Sequence, residues 1–269
     1  MPSGHEKLVS VLRTGGRQVF VMKIEPKERD REIEKLKGCV AQATRILFEM
    51  GLADFYGHAS ARIPGSEQIL IKPSITSLAA IRPEDILVVD MNQYQQGDMT
   101  DPLMRERGLP PGEVVLHIAI YQKRKDVLGV VHTHQLLATT FGIAGKPIVP
   151  LHNQTSAFSP ATALYDKPDM VSNKTIASEV AEALGDRNGI LLRGHGVVVV
   201  GRSVEEATVN AIYLERAAKM QILAQLIGSP VPLDEEYCKK FSKAIDSVRV
   251  RDAFAYFESL LGSPIKGLG

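Results

Sequence analysis

The sequence predicts an α/β protein in which helices cover a central sheet within one layered domain. Two observations lead to this prediction. Strand-like and helix-like hydrophobic periods alternate along the chain, and no internal repeat or low-complexity segment interrupts them. The 269 residues, 44% of them hydrophobic, are enough for a substantial core. Strands that alternate with helices are typical of βαβ units, so this pattern alone predicts a parallel sheet.

The first element is a helix that follows an N-terminal arm. Residues 1–27 show no clear period apart from a short strand-like run at Val19–Val21, and we interpret them as the arm. A single domain is then predicted over 28–269. Its first helix runs from about Glu28 to Met50, because apolar residues recur there at helical spacing, and Gly51 follows where a C-cap glycine belongs.

The next elements are strands and one further helix. Residues 57–72 alternate in polarity around Pro64-Gly65 and predict a hairpin, and Ile86–Asp90 is a short buried strand. Residues 96–112 are rich in glycine, proline and charge, which indicates a loop. A helix is predicted from about Pro111 to Lys123.

The second half of the chain carries three predicted strands and a long helix. An apolar strand, Val127–Val131, leads into His132-Thr133-His134, and an irregular stretch over 145–174 has the length of a functional loop. The strands Gly189–Arg193 and Val197–Val200 flank Gly194-His195-Gly196. Ser203 with Glu206 forms a capping box for a helix that ends near Gly228, and the tail to Gly269 looks partly helical.

Composition and charge narrow the classes of function. The 32 Lys and Arg residues nearly balance the 31 Asp and Glu residues, so the net charge of +1 gives no basic footprint for nucleic acid. The two cysteines, Cys39 and Cys238, predict neither a disulfide framework nor a thiolate metal cluster. No apolar signal segment and no run of roughly 20 apolar residues is present. We therefore expect a cytoplasmic protein without a nucleic-acid or membrane partner.

Three of the seven histidines stand where metal ligands are expected. His132 and His134 are two residues apart at the end of a predicted strand, so their imidazoles share one face. His195 stands between Gly194 and Gly196, which allow a tight turn that exposes the imidazole. Each feature alone is also typical of ordinary strand and turn histidines.

A carboxylate and a further histidine accompany these three. Glu113 and His117 are four residues apart on the predicted helix and share a face, although such pairs also occur on ordinary surfaces. Three imidazoles around one ion, with a carboxylate beside it and a coordination position left open, are typical of a catalytic site. The residues thus predict a metal-dependent enzyme without naming its reaction.

The order of the motifs resembles the class II aldolase/adducin family over about residues 33–228. The motifs are Gly57-His58-Ala59-Ser60, Lys72-Pro73-Ser74, Glu113 with His117, His132-Thr133-His134 and Arg193-Gly194-His195-Gly196. The 19 residues from Glu113 to His132 and the 61 from His134 to His195 also agree with fuculose-phosphate-type aldolases.

This resemblance implies a three-layer α/β/α sandwich around a central, largely antiparallel sheet, in place of the parallel sheet that the pattern alone predicts. It implies that residues 28–269 form a catalytic domain in which His132, His134 and His195 hold one divalent ion per subunit, Mn²⁺ or Zn²⁺. Glu113 is then a further ligand or an acid/base group. It also implies a homotetramer with active sites between neighbouring subunits.

Departures from the sugar-phosphate members bear on the substrate. Those members usually carry Gly-Asn in place of Gly57-His58, Thr-Gly or Ser-Gly in place of Ser74-Ile75, and Ser-Ser in place of Pro111-Gly112. Their small polar residues bind the phosphate through hydroxyls and backbone N–H groups. An imidazole, an isoleucine and a proline stand here instead, so we expect an unphosphorylated substrate.

The Gly-His-x-Ser pattern resembles the branch that acts on unphosphorylated acids. That branch includes decarboxylases of hydroxylated aromatic and heteroaromatic carboxylates, such as a hydroxypyridine dicarboxylate of vitamin B6 degradation. By this resemblance the ion chelates a substrate hydroxyl and its neighbouring carboxylate, and a protein acid protonates the ring carbon after carbon dioxide leaves. Glu113 is the first choice for that acid, with His58 or His117 as the second.

Other residues are weaker candidates for substrate contacts. Arg193 suits a second substrate carboxylate because its guanidinium matches that group, or else it braces its own turn. Lys72, Ser74 and His152 are expected to line the pocket. Tyr165, in the long irregular stretch, is a candidate to reach a neighbouring subunit.

Two alternatives stay open. An aldolase acting on an unphosphorylated hydroxy-keto acid would use the same ion, with Glu113 removing a substrate proton. A non-enzymatic assembly module is the other alternative, because the adducin head domain shares the fold. That branch does not keep the metal histidines, whereas His132, His134 and His195 are all present here.

Overall fold

The computed structural model describes residues 9–14, 17–22, 26–95, 108–244 and 247–262. The chain divides into two compact units, Met1–Lys35 and Leu36–Gly269. In the first unit, strands β1 (Val9–Thr14) and β2 (Arg17–Met22) form an antiparallel hairpin. The predicted arm therefore contains two paired strands, where the sequence indicated one short run. Its boundary at residue 27 stays a prediction.

Helix α1 (Pro26–Glu49) extends across the division between the two units, close to the predicted helix. In its second half Val40, Ala43 and Leu47 are fully buried, which is the helical period seen in the sequence. The chain leaves the helix through Gly51, whose φ of 68° is typical of a C-cap glycine.

The second unit contains a seven-stranded sheet in the order β5-β4-β3-β6-β9-β8-β7. Its strands are β3 (His58–Arg62), β4 (Gln68–Ile71), β5 (Leu87–Asp90), β6 (Gly129–Thr133), β7 (Ala163–Tyr165), β8 (Gly189–Leu192) and β9 (Gly196–Gly201). Every neighbouring pair is antiparallel except β7 with β8. The largely antiparallel sheet is thereby confirmed.

The parallel sheet predicted from the pattern alone is wrong, and short connections explain why. The Pro64-Gly65 turn joins β3 to β4, and a three-residue turn joins β8 to β9, so these strands must run in opposite directions. Strand β6 then enters between β3 and β9 from a distant part of the sequence. Hydrophobic period reports which residues form strands but not which strands pair.

Helices cover both faces of this sheet. They are α2 (Val114–Lys123), α3 (Leu136–Ile143), α4 (Lys174–Leu184), α5 (Val204–Ile227), α6 (Glu235–Ala244) and α7 (Ser247–Ser259). Helices α2 and α4 pack together on one face, over a core that includes Val130, Ile190 and Val198. Helix α5 packs on β3, β6 and β9 from the other face and also contacts α3 and α7. The α/β/α layering is the one that the resemblance implied.

Local signals agree with the structure to different degrees. Ser203 Oγ accepts a hydrogen bond from Glu206 N at 3.1 Å at the start of α5, while the Glu206 carboxylate accepts from Arg202 N. The stretch 145–174, predicted as irregular, contains a 3₁₀ helix (Asn153–Phe158) and β7. Residues 96–107 of the predicted loop lie outside the described residues. None of the helices described is both long and apolar enough to cross a membrane.

Candidate metal centre

Two neighbouring strands present polar side chains on the sheet face that α2 covers. His132 in β6 and His134 just after it are two residues apart, so they share that face. In β3, His58 lies directly opposite His132, and Ser60 lies opposite Val130. The register of β3 against β6 therefore places polar residues from both strands side by side.

Helix α2 contributes a matching stripe. Glu113, at the N-cap position, His117 and Tyr121 follow each other at four-residue spacing and share one helix face. That face meets β3, because His117 Nε2 lies 2.8 Å from His58 Nδ1 and the Tyr121 hydroxyl donates to the Ser60 carbonyl at 3.0 Å. His117 and Tyr121 are fully buried.

His195 reaches the same place from the β8–β9 turn. Gly194 in that turn has a φ of 70°, in the left-handed region that favours glycine. At Gly196 a Cβ atom would stand 2.5 Å from the Thr133 carbonyl oxygen and 2.6 Å from His134 Cδ2. The two flanking glycines thus let the turn approach β6 closely enough to bring His195 beside His134.

Four side chains converge at this point, and we call them the imidazole cluster: Glu113, His132, His134 and His195. Each offers one ligand atom, and these atoms all lie within 4.8 Å of one another. His132 Nε2 is 3.1 Å from His134 Nε2 and 3.3 Å from Glu113 Oε2. His195 Nε2 is 3.2 Å from Glu113 Oε1. The residues that the sequence and the resemblance assigned to a metal lie together, and metal binding by them stays a prediction.

The donor set fits a divalent cation. His132 Nδ1 lies 2.9 Å from the Val197 carbonyl oxygen, which can only accept, so the proton is on Nδ1 and the Nε2 lone pair faces the cluster. Glu113 Oε1 is buried and has no hydrogen-bond partner among the described residues, although His195 Nε2 is in contact. Lone pairs directed at one point repel each other unless a cation lies between them.

The surroundings favour the metal-binding forms of these groups. Burial alone would raise the pKa of the Glu113 carboxyl, but the imidazoles around it, His132 first, outweigh burial and hold that pKa below its ordinary range. Burial lowers the pKa of His58 and of His134 to about 4, and it lowers the pKa of His117 well below its usual value. At neutral pH the Glu113 carboxylate is therefore ionised, and the imidazoles of His58, His117 and His134 are neutral.

Lys72 and Ser74 follow the end of β4. Lys72 is almost completely buried, and its Nζ donates to the carbonyls of Pro73 at 2.7 Å and Ser74 at 3.2 Å. Burial lowers its pKa to about 8. The ammonium is close enough to help lower the pKa of His58. Substrate binding by Lys72 and Ser74 stays a prediction.

The remaining predicted residues have other partners. The Arg193 Nε lies 2.5 Å from an Asp166 carboxylate oxygen, and its Nη2 donates to the Asp166 carbonyl at 3.2 Å. This geometry braces the turn, and a role in substrate binding stays a prediction. The Tyr165 hydroxyl donates to Glu179 at 2.7 Å, and His152 caps the 3₁₀ helix. Neither of them belongs to the imidazole cluster.

Two supporting residues were not predicted from the sequence. Tyr121 extends the four-residue spacing of the two α2 candidates, and that spacing is the signal that indicates it. Glu215 on α5 accepts hydrogen bonds from the backbone N–H groups of Leu137 at 2.8 Å and Ala138 at 3.0 Å. It thereby holds the start of α3 directly after His134, a role for which the sequence around Glu215 gives no local signal.

Comparison with known proteins identifies the family. Residues 39–222 match the profile described as class II aldolase and adducin N-terminal domain. The chain belongs to the class II aldolase and adducin family. Within this family it is 34% identical over 204 residues to a 3,4-dihydroxyphthalate decarboxylase of Arthrobacter keyseri, which covers 70% of this chain and 78% of the relative. The predicted family, with its decarboxylase-like relatives, is confirmed.

Other class II aldolase relatives catalyse different reactions. The chain is 27% identical over 221 residues to an L-ribulose-5-phosphate 4-epimerase of Salmonella paratyphi B, over 77% of this chain and 93% of the relative. The solved structure of an L-fuculose 1-phosphate aldolase from Glaciozyma antarctica PI12 matches with a TM-score of 0.71 at 22% identity, over 91% of this chain and 96% of that one. That structure is similar in fold. Class II aldolases use a divalent metal and are commonly oligomeric.

Proposed function

We propose that this protein is a divalent-metal-dependent decarboxylase of a hydroxylated aromatic or heteroaromatic carboxylate. The imidazole cluster carries the proposal, because three imidazoles and one carboxylate form a metal site with positions left for a chelating substrate. The 34% identity to a 3,4-dihydroxyphthalate decarboxylase supports decarboxylation over the other reactions of the family. Both Mn²⁺ and Zn²⁺ suit this donor set.

Metal binding and proton transfer would be carried out by different residues. His132, His134 and His195 would hold the ion, with the Nε2 atom of His132 directed at it by the Val197 carbonyl. A bound divalent cation supplies Lewis-acid chemistry, which draws electron density from a chelated hydroxyl and carboxylate. Glu113 lies beside the same point, within 3.3 Å of two of the imidazoles.

Glu113 is the proposed proton carrier. Since its pKa lies below the ordinary range, the carboxylate is ionised at neutral pH and first accepts the proton of the substrate hydroxyl. When carbon dioxide leaves, the electron pair of the broken bond stays on the ring carbon, and Glu113 returns the proton to that carbon. Protons and electrons then balance with the ring oxygen left as a phenolate, which takes up one proton from water when the product is released. This order revises the expectation that Glu113 begins as the acid.

The surroundings of the cluster support an unphosphorylated acid as substrate. Pro111 has no N–H group to offer a phosphate, and His58 fills a position where a small polar residue would be needed. Lys72, buried and with no carboxylate among its described hydrogen-bond partners, supplies positive charge near the cluster for a substrate carboxylate. Carboxylate binding by Lys72 is part of the proposal.

A substrate comparison tests the reaction. Protein loaded with Mn²⁺ or Zn²⁺ is incubated with 3,4-dihydroxyphthalate, with a hydroxypyridine dicarboxylate and with an unphosphorylated hydroxy-keto acid, and released carbon dioxide and aldehyde are measured. We expect carbon dioxide from at least one aromatic acid. Aldehyde from the keto acid alone would favour an aldolase. A purified protein without bound metal or turnover would favour an assembly module.

Replacement of Glu113 tests the proton carrier. In Glu113→Gln, and equally in Glu113→Ala, we expect kcat to fall by about 10²–10⁴, the range for loss of acid/base catalysis. Metal content should stay near normal because the three histidines are kept. The matched control is Glu182→Gln, an exposed residue that pairs with Lys123 on the surface. A wild-type rate in Glu113→Gln would exclude this role.

We further propose that the chain assembles as a homotetramer. Large apolar side chains that are mostly exposed near the end of α5 support association, because monomers rarely leave such groups clustered in water. They are Leu226, Ile227 and Val231, at 79%, 90% and 84% exposure. Light scattering of the full chain gives the mass directly, and a monomer at micromolar concentration would contradict this assembly.

A further inference from the structure

A row of polar side chains leads from the imidazole cluster into the core. His58 Nδ1 is 2.8 Å from His117 Nε2, and His117 Nδ1 is 2.6 Å from Ser60 Oγ. Ser60 Oγ is 2.8 Å from the Tyr121 hydroxyl. All four residues are at most 4% exposed. A buried polar row is stable only if each member has a hydrogen-bond partner. Each member then donates to one neighbour and accepts from the other, so the direction of the bond at one end determines the direction of all the others.

We propose that Ser60 and Tyr121 are positioning residues that fix the tautomer of His58 by way of His117. The inference rests on the proposed function, because it states how His58 faces Glu113 and the substrate. Neither Ser60 nor Tyr121 touches the reacting atoms in this assignment.

The end of the row at Tyr121 sets the direction of every hydrogen bond. The Tyr121 hydroxyl donates to the Ser60 carbonyl oxygen at 3.0 Å, an atom that only accepts. Either oxygen could donate in the 2.8 Å contact between the two hydroxyls, and we assign the Tyr121 proton to the carbonyl, so that the Tyr121 oxygen accepts from the Ser60 hydroxyl. Ser60 Oγ in turn accepts from His117 Nδ1–H, so His117 Nε2 carries a lone pair.

His58 then has one tautomer open to it. Its Nδ1–H donates to His117 Nε2, and its own Nε2 carries a lone pair toward the cluster. The distance from His58 Nε2 to Glu113 Oε2 is 3.6 Å, longer than a hydrogen bond. In this state His58 can accept a substrate proton but cannot supply the proton for the ring carbon. That proton is left to Glu113.

Loss of the Tyr121 hydroxyl removes the group that selects this direction. In Tyr121→Phe the Ser60 hydroxyl is free to donate to His117 Nδ1, and each bond toward His58 can then reverse without any net gain or loss of protons. The ring keeps its packing, including the Arg62 guanidinium 5.1 Å from its centroid. The variant therefore changes the tautomer with little change to the core.

Nitrogen-15 NMR of histidine-labelled, Zn²⁺-loaded full-length protein reads the tautomer directly. We expect wild-type His58, assigned by comparison with His58→Gln, to carry its proton on Nδ1. Tyr121→Phe and Ser60→Ala should show mixed Nδ1 and Nε2 protonation, whereas Ser60→Thr, which keeps the hydroxyl, should retain the wild-type spectrum. If Ser60→Ala does not fold, Tyr121→Phe alone decides. Protonation on Nε2 in the wild type, or an unchanged tautomer in Tyr121→Phe, would overturn the proposal.

Kinetics give a second readout. In Tyr121→Phe we expect kcat to fall about tenfold, the lower end for loss of a supporting hydrogen bond, with KM and metal content unchanged. The matched control is Tyr237→Phe, which removes a hydroxyl outside the row that donates to Asn153 Oδ1 at 3.0 Å, and it should leave both kcat and the His58 tautomer unchanged. The NMR result does not depend on turnover, so failure of the proposed reaction is distinguishable from failure of this inference.

Discussion

Helices α2 and α4 lie next to each other on the same face of the sheet, yet the contacts beneath them differ in chemistry. Under α4 the core is apolar, with Val180 and Leu184 of the helix joined to Ile190 of β8 in one hydrophobic cluster. Under α2 the stripe that includes His117 and Tyr121 meets polar residues of β3. The same helix-on-sheet arrangement thus buries an apolar core under α4 and holds the proposed reactive site under α2.

The difference arises from a few positions. Helix α2 is itself largely buried and apolar, with Val114, Leu116 and Ile120 fully covered, so its packing does not depend on the polar stripe. Placing polar residues at every fourth position creates a site without changing the fold, provided that the partner strands supply hydrogen bonds. The two halves can therefore be disturbed separately, which the following three predictions test.

The largest effect is expected from His195→Ala. It removes one proposed ligand from a partly exposed turn and leaves the core under α2 and α4 untouched. We expect kcat/KM to fall by at least about a thousandfold, equivalent to about 4 kcal/mol of transition-state stabilisation, together with loss of bound metal. Steady-state kinetics and metal analysis measure both. His152→Ala, an exposed histidine outside the cluster, is the control, and equal losses in both variants would contradict the assignment.

A smaller effect, on stability, is expected from acidification of the metal-free protein. Burial lowers the pKa of His58 to about 4, below the unfolded value of 6.5, so the unfolded chain binds more protons between these pH values. Stability is therefore full above pH 6.5 and falls as the pH decreases toward 4, by roughly 3 kcal/mol from this residue alone. His117, shifted in the same direction, adds to the decrease.

Denaturant unfolding of the metal-free protein at a series of pH values measures this slope. His58→Gln should flatten it, while His152→Gln, at an exposed position, should not. If the free energy of unfolding is constant from pH 6.5 to 4, the imidazoles of His58 and His117 are not buried in their neutral form.

The sequence predicted which residues meet in the imidazole cluster better than it predicted the sheet around them. His132, His134, His195 and Glu113 were found because their spacing and the glycines around His195 are local signals that match a known family. The hairpin at Pro64-Gly65 and the cap at Ser203 were also found from local signals. In each case a few neighbouring residues contain the information.

What could not be predicted depends on register between distant strands. His58 stands opposite His132 because β6 enters the sheet beside β3, and nothing in the period of either strand indicates that pairing. Because strand pairing could not be predicted, the sequence led to a parallel sheet and did not indicate that Ser60 lies next to Tyr121. Arg193 shows a related limit, since the sequence could not tell a guanidinium that braces its turn from one that binds a substrate.

The smallest effect is expected from Ile190→Val in the apolar half. Ile190 is fully buried, and loss of one methylene from such a core lowers the free energy of unfolding by about 1 kcal/mol. We expect kcat, KM and metal content to stay at wild-type values. Denaturant unfolding and kinetics on the same sample measure both properties. Because β8 leads directly into the turn that carries His195, a decrease in kcat would mean that strain in the apolar half reaches the imidazole cluster. The side chains under α2 and α4 would then affect reactivity and stability separately, whereas β8, which connects the two regions, would affect both.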